Sequence, residues 1–150
     1  MQRVTPRCFV SECAAFCPVG WKSMGYNCYK LFDEKKTWSQ AEAHCMGLGG
    51  HLASIQSPEE HKFVADLGLV SDEEIAYLGG SDLGEEKKWV WTDGTPFEYT
   101  NWLEGEPNNS LGDEDCMMLW KQKGDKWNDT ACSREFKFIC KIMYAKISLS

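Results

Sequence analysis

Three short segments carry most of the oxygen donors that could do chemistry: Glu106-Pro107-Asn108-Asn109, Asp113-Glu114-Asp115-Cys116 and Trp127-Asn128-Asp129. Carboxylates and side-chain amides dominate them, and no histidine lies among them. Calcium takes about six to eight oxygen ligands and accepts amide carbonyls, whereas zinc and copper prefer nitrogen or sulfur. The donor set therefore points to calcium. The spacing is not that of an EF-hand loop, so the ligands must come from separate segments that the fold brings together.

Other chemistries fit less well. His44, His51 and His61 are scattered, and the sequence has neither an H-E-x-x-H helix motif nor a G-x-S-x-G turn. Glu106 and Glu114 could be paired as the acid and nucleophile of a glycosidase. That pairing needs one carboxyl to keep its proton near neutral pH, and carboxylates gathered around calcium lose theirs. A binding protein, not an enzyme, is expected. A net charge of −7 on 150 residues and the lack of a Lys/Arg run argue against a nucleic-acid groove. Asn108-Asn109-Ser110 and Asn128-Asp129-Thr130 also read as glycosylation sequons. Glycans there would block a metal site built from the same asparagines.

The elements that must position these donors can be read from the chain. Tyr26 to Phe32 alternates like a strand. Thr37-Trp38-Ser39-Gln40 is a capping box, after which Trp38, Ala41 and Cys45 share one helical face. Ser57-Pro58-Glu59-Glu60 is a second helix start, with Ser57 as cap, Pro58 at the first helical position and Glu60 three residues on. Tyr77-Leu78, Trp89-Val90-Trp91, Met117 to Trp120 and Phe136 to Ile142 read as strands. Between them, residues 80 to 114 are dense in Gly, Asp, Glu, Asn and Pro, and a loop that long in a small domain is commonly functional. The class is α+β, with two helices packed on antiparallel sheets and a long loop region.

Eight cysteines, Cys8, Cys13, Cys17, Cys28, Cys45, Cys116, Cys132 and Cys140, suggest disulfides formed in an oxidising compartment. No C-x2-C pair suits structural zinc, and Cys8, Cys13 and Cys17 miss the iron–sulfur spacing. Spacing alone leaves on the order of a hundred connectivities. No apolar stretch approaches the roughly 18 residues of a membrane span, and Met1 to Arg7 lack a secretory core. A removed signal and a secreted, extracellular protein are expected. The chain divides into an extension, 1–16, carrying Cys8 and Cys13, a domain, 17–142, and a tail, 143–150.

Glu-Pro-Asn, then Glu-Asp-Cys, then Trp-Asn-Asp, with this cysteine order and Tyr77-Leu78-Gly79-Gly80, resembles the sugar site of C-type lectin domains across residues 17 to 142. The resemblance implies bridges Cys17–Cys28, Cys45–Cys140 and Cys116–Cys132. It implies a principal Ca2+ held by Glu106, Asn108, Glu114, Asn128 and Asp129, with a cis bond before Pro107. A second Ca2+ would use Asp82, Glu86, Asn109, Glu114 and Asp115, with Asn109 standing where the family commonly has Asp. The implied function is lectin activity, in which two vicinal sugar hydroxyls coordinate the ion and bond to the same five principal residues. Glu-Pro-Asn goes with mannose-type sugars; an aromatic stacked on galactose could overturn that, and Trp89, Trp91 and Trp120 are candidates. A module for non-sugar surfaces or proteins on the same fold is the structural alternative. Cys8 and Cys13 could pair with each other or link chains, and a disulfide-linked homo-oligomer is expected. Acid should release sugar, because the ligand carboxylates must be ionised to hold calcium.

Overall fold

The structure is a computed structural model that describes residues 17–69, 74–107 and 114–143. Calls on Cys8, Cys13, Asn108, Asn109 and Asp113 lie outside the described residues. In chain order the elements are β1 (Lys22–Met24), β2 (Asn27–Lys36), α1 (Trp38–Gly47), β3 (His51–Leu52) and α2 (Pro58–Ala65). There follow β4 (Ile75–Ser81), β5 (Val90–Trp91), β6 (Cys116–Trp120), β7 (Lys126–Thr130) and β8 (Phe136–Met143). Among the described residues, no helix is long and apolar enough to cross a membrane.

Both helices start where side-chain capping satisfies their first N–H groups. Thr37 and Gln40 form the reciprocal capping box ahead of α1. Ser57 accepts from the Glu60 N–H at 3.0 Å ahead of α2. The Glu60 carboxylate does not close a second box. One oxygen accepts from the Gln56 N–H at 2.7 Å, and the other accepts from the Tyr29 hydroxyl and the Lys141 ammonium. Lys141 is only 4% exposed and also donates to both oxygens of Ser54. Burial, followed by the neighbouring Glu60, pushes the Tyr29 hydroxyl far above its ordinary pKa, so it stays a donor. This buried polar group ties α2 to β2 and β8.

The strands form one hydrogen-bonded sheet in the order β1-β2-β8-β4-β6-β7, with β3 added to β8 and β5 to β4. The α+β expectation holds, but the expectation of purely antiparallel sheets needs correction. β8 returns between β2 and β4, antiparallel to the first and parallel to the second, with Ala76 beside Lys137 and Tyr77 beside Phe138. The sheet is mixed because the last strand fills a gap between distant segments, an arrangement that local alternation does not encode.

One cluster of core residues brings Ile55, Val64, Leu78, Trp91, Met117 and Trp127 together; the other gathers Trp38, Leu52, Tyr77 and Phe138 around Cys45 and Cys140. Gly79 allows β4 to pass close to β3, since a Cβ there would lie 2.6 Å from the Leu52 carbonyl oxygen. The disulfides Cys17–Cys28, Cys45–Cys140 and Cys116–Cys132 close the hairpin, tie α1 to β8, and join the start of β6 to the chain just after β7.

Glu60→Ala would leave the Lys141 ammonium buried without its carboxylate. It should lower unfolding stability by about 3–5 kcal/mol, read as a reduced denaturant midpoint. A change within about 0.5 kcal/mol would contradict this account of the network.

Candidate functional site

β4 and β6 lie side by side, with Ser81 opposite Cys116, so the residues just beyond these ends, Asp82 and Asp115, become neighbours. The Asp82 N–H donates to the Asp115 carbonyl at 3.0 Å. The chain then turns back through Lys87, at φ 69°, and the Lys87 N–H donates to Asp82 Oδ2 at 2.8 Å. This turn brings Glu86 to the same place: ligand oxygens of Asp82, Glu86 and Asp115 all lie within 4.8 Å of one another. Asp82 is 4% exposed, and its Oδ1 is buried with no hydrogen-bond partner. A desolvated carboxylate oxygen of this kind, on a residue that belongs to an all-carboxylate cluster, suits a hard divalent cation. The donors are oxygens throughout, which fits Ca2+ and does not fit a thiol- or imidazole-seeking metal.

A second set of donors rests on β7. Antiparallel pairing sets Met118 opposite Asn128, Met117 opposite Asp129 and Cys116 opposite Thr130. Asp129 is 2% exposed, and its N–H donates to Asn128 Oδ1 at 2.9 Å. The outer edge of β7 is covered by a strap, residues 101–103. The Trp127 N–H donates to the Asn101 carbonyl at 2.9 Å, and the Leu103 N–H donates to the Trp127 carbonyl at 2.8 Å. From this strap the chain turns through Gly105, at φ 87°, and the Glu106 N–H donates to the Leu103 carbonyl at 2.9 Å. The positive φ favours glycine at that corner. The Glu106–Pro107 peptide is cis.

The structure thus gathers Asp82, Glu86 and Asp115 directly. It places Glu114 next to Asp115 at the entry to β6, and hangs Glu106 from the strand edge that carries Asn128 and Asp129. The aromatic candidates separate clearly. Trp91 is buried in the core. Trp120 ends β6 four residues beyond Cys116, about 13 Å away at roughly 3.3 Å per residue. Trp89 is half-buried and packs edge-on against Trp102, with centroids 4.9 Å apart.

The sequence reading missed the frame behind the site. Trp127 is fully buried amid Trp91, Phe97, Tyr99 and Trp102. Its Nε1–H meets His61, which also faces Asn101. The alternation of Trp127 with Asp129, both facing away from solvent, is the only signal that could have marked Lys126–Thr130 as a strand.

A family model described as the lectin C-type domain matches residues 34–142. A C-type lectin of Micrurus corallinus is 42% identical over 139 residues, covering 89% of this chain and 87% of that protein. A C-type lectin mannose-binding isoform of Oxyuranus scutellatus is 39% identical over 135 residues, covering 85% and 84%. The solved structure of a calcium-independent type II antifreeze protein matches with a TM-score of 0.78 at 37% identity, covering 85% of this chain and 95% of that one. By the family model, by sequence relatives and by fold, this chain belongs to the C-type lectin domain family.

Proposed function

We propose that the chain is a calcium-dependent sugar-binding protein of mannose type, and that it binds without catalysing. The observation that carries this reading is the convergence of Asp82, Glu86 and Asp115 at the sheet end into which Glu114 also leads. The principal ion would be held by Glu106, Asn108, Glu114, Asn128 and Asp129. The second would be held by Asp82, Glu86, Asn109, Glu114 and Asp115. Calcium, when bound, supplies an electrophilic centre on which two vicinal hydroxyls can replace water.

The residues of this chain do the rest of the work. Carboxylates accept from sugar hydroxyls, while asparagine amides donate to them, so each hydroxyl can be matched in both roles. Mannose-type sugars are favoured over galactose by Glu106-Pro107-Asn108, and two of the three aromatics that could overturn that preference are unsuited to stacking. Trp91 is buried and Trp120 lies at the far end of β6. Secretion follows from the disulfide framework. Linkage of copies through Cys8 or Cys13 would raise avidity for repeated sugars by about 10²–10⁴. The lectin unit would span residues 17–142.

One observation favours a second reading. The antifreeze protein that matches at 37% identity is described as calcium-independent, so this fold can serve a non-sugar surface without the ion.

The protein should be retained on mannose-agarose in calcium, released by a chelator, and pass through galactose-agarose. Glu106→Gln should reduce mannose retention at least tenfold, the effect of losing about 1.4 kcal/mol. Ligand binding that survives chelation would favour the second reading. Calcium itself should raise Tm by about 5–10 °C when present at roughly a hundred times its Kd. Asp82→Asn should shrink that rise, and equal Tm values in calcium and chelator would contradict the metal sites.

A further inference from the structure

One imidazole joins the two arms of the proposed site. His61, on α2, presents Nδ1 to Trp127 Nε1 at 3.3 Å and Nε2 to Asn101 Nδ2 at 2.9 Å. Asn101 Nδ2 also donates to the Asp125 carbonyl at 3.2 Å, and its Oδ1 accepts from the Lys126 ammonium at 3.1 Å. Trp127 and Asn101 are bonded to each other through the backbone. Trp127 leads directly into Asn128 and Asp129, while Asn101 begins the strap from which the chain turns to Glu106. The contacts of His61 run to Trp127 and Asn101, the pieces that carry the proposed ligands.

The polarity of these contacts is informative. An indole N–H can only donate, and so can the nitrogen of a side-chain amide. Both ring nitrogens are therefore approached by donors. A neutral imidazole has one lone pair with which to accept, and an imidazolium has none. Protonation would set two N–H groups against each other between His61 and Trp127, inside an aromatic cluster with no water-exposed route for the Trp127 ring.

We propose that His61 is a positioning residue of the calcium site: its neutral ring, packed between the strap and β7, accepts from one of these two donors, and its protonation removes that bond, loosens the two pieces and weakens calcium binding. The inference rests on the reading of Glu106, Glu114, Asn128 and Asp129 as calcium ligands.

The surroundings agree in sign. Burial lowers the His61 pKa below its ordinary value, outweighing the pull of Asp125 and Asp66 toward the charged form, while Lys126 adds to the lowering. The uncharged Tyr99 ring and the Trp127 ring complete the face, with centroids 6.4 and 6.2 Å away. Asp66 caps the end of α2, Asp125 lies in the β6–β7 connection, and Lys126 opens β7. The held form is thus present at neutral pH. It is lost only as pH falls through the lowered folded-state value.

The test is a calorimetric titration of the full chain with calcium chloride at about pH 7.5 and about pH 5.0, pH values that bracket an imidazole. Wild type, His61→Phe and His61→Gln are compared. At the higher pH, Phe should weaken calcium binding about three- to tenfold by stranding the indole donor. Gln should recover most of that loss, because its amide oxygen accepts from the indole and does not titrate. Between the two pH values, wild-type affinity should fall at least about threefold further than that of Gln. The fall common to both belongs to the ligand carboxylates. A Gln variant as pH-sensitive as wild type, or a Phe variant binding as tightly, overturns the role of His61 alone. If Phe does not fold, the comparison of wild type with Gln decides. Wild type that binds no calcium at the higher pH overturns the site itself, and this inference with it.

Discussion

Carboxylates do not gather by themselves. Asp82, Glu86 and Asp115 bring ligand oxygens within 4.8 Å of one another in a chain whose net charge is already −7. Their mutual repulsion is tolerable only where the backbone is fixed by other interactions, or where a cation offsets the charge. The fold supplies the first. Asp82 and Asp115 leave adjacent strands and are joined by a backbone hydrogen bond, and the Cys116–Cys132 bridge locks the next residue along.

Trp127 performs the matching task for the other half of the site. Its backbone pairs with Asn101 and Leu103 on the outer side and with Leu119 on the inner side, and its ring is buried among four aromatics. Much of the apolar burial in this part of the molecule thus serves to place polar groups beyond the sheet. The core cluster containing Trp127 also contains Trp91 and Met117, which adjoin the strand ends where Asp82 and Asp115 emerge. Packing and candidate site are therefore one construction, with the apolar cluster holding the strand ends from which Asp82 and Asp115 emerge.

Local signals were read well where one residue type has one physical use. The Thr37–Gln40 capping box, the Ser57 cap, the apolar strand Phe136 to Ile142 and the cysteine order all reappear in the structure. What escaped was decided by tertiary partners. Glu60 reads as a capping residue but is claimed by Tyr29 and Lys141, which lie far away in sequence. Lys126–Thr130 is absent from the strands read in the sequence because polar Asn128 and Asp129 interrupt its apolar pattern. The parallel contact of β4 with β8 has no local signature at all. Of the candidate ligands, Asp82, Glu86 and Asp115 lie together, and Glu106 precedes a cis peptide to Pro107. Asn108 and Asn109 fall outside the described residues. His61 was passed over because a lone histidine on a helix is most often a surface or satisfied core group, and nothing in sequence links it to Asn101 and Trp127.

The proposed direct coordination would make sugar and calcium binding reciprocal: whatever factor calcium contributes to sugar affinity, sugar must return to calcium affinity. The most direct measurement is therefore the Kd for calcium with and without saturating methyl mannoside at neutral pH. The account predicts that the sugar tightens calcium binding, by about five- to 150-fold if the coupling is of ordinary size. Calcium affinity unchanged by a sugar that demonstrably binds would contradict it, because the sugar would then be held somewhere other than on the ion.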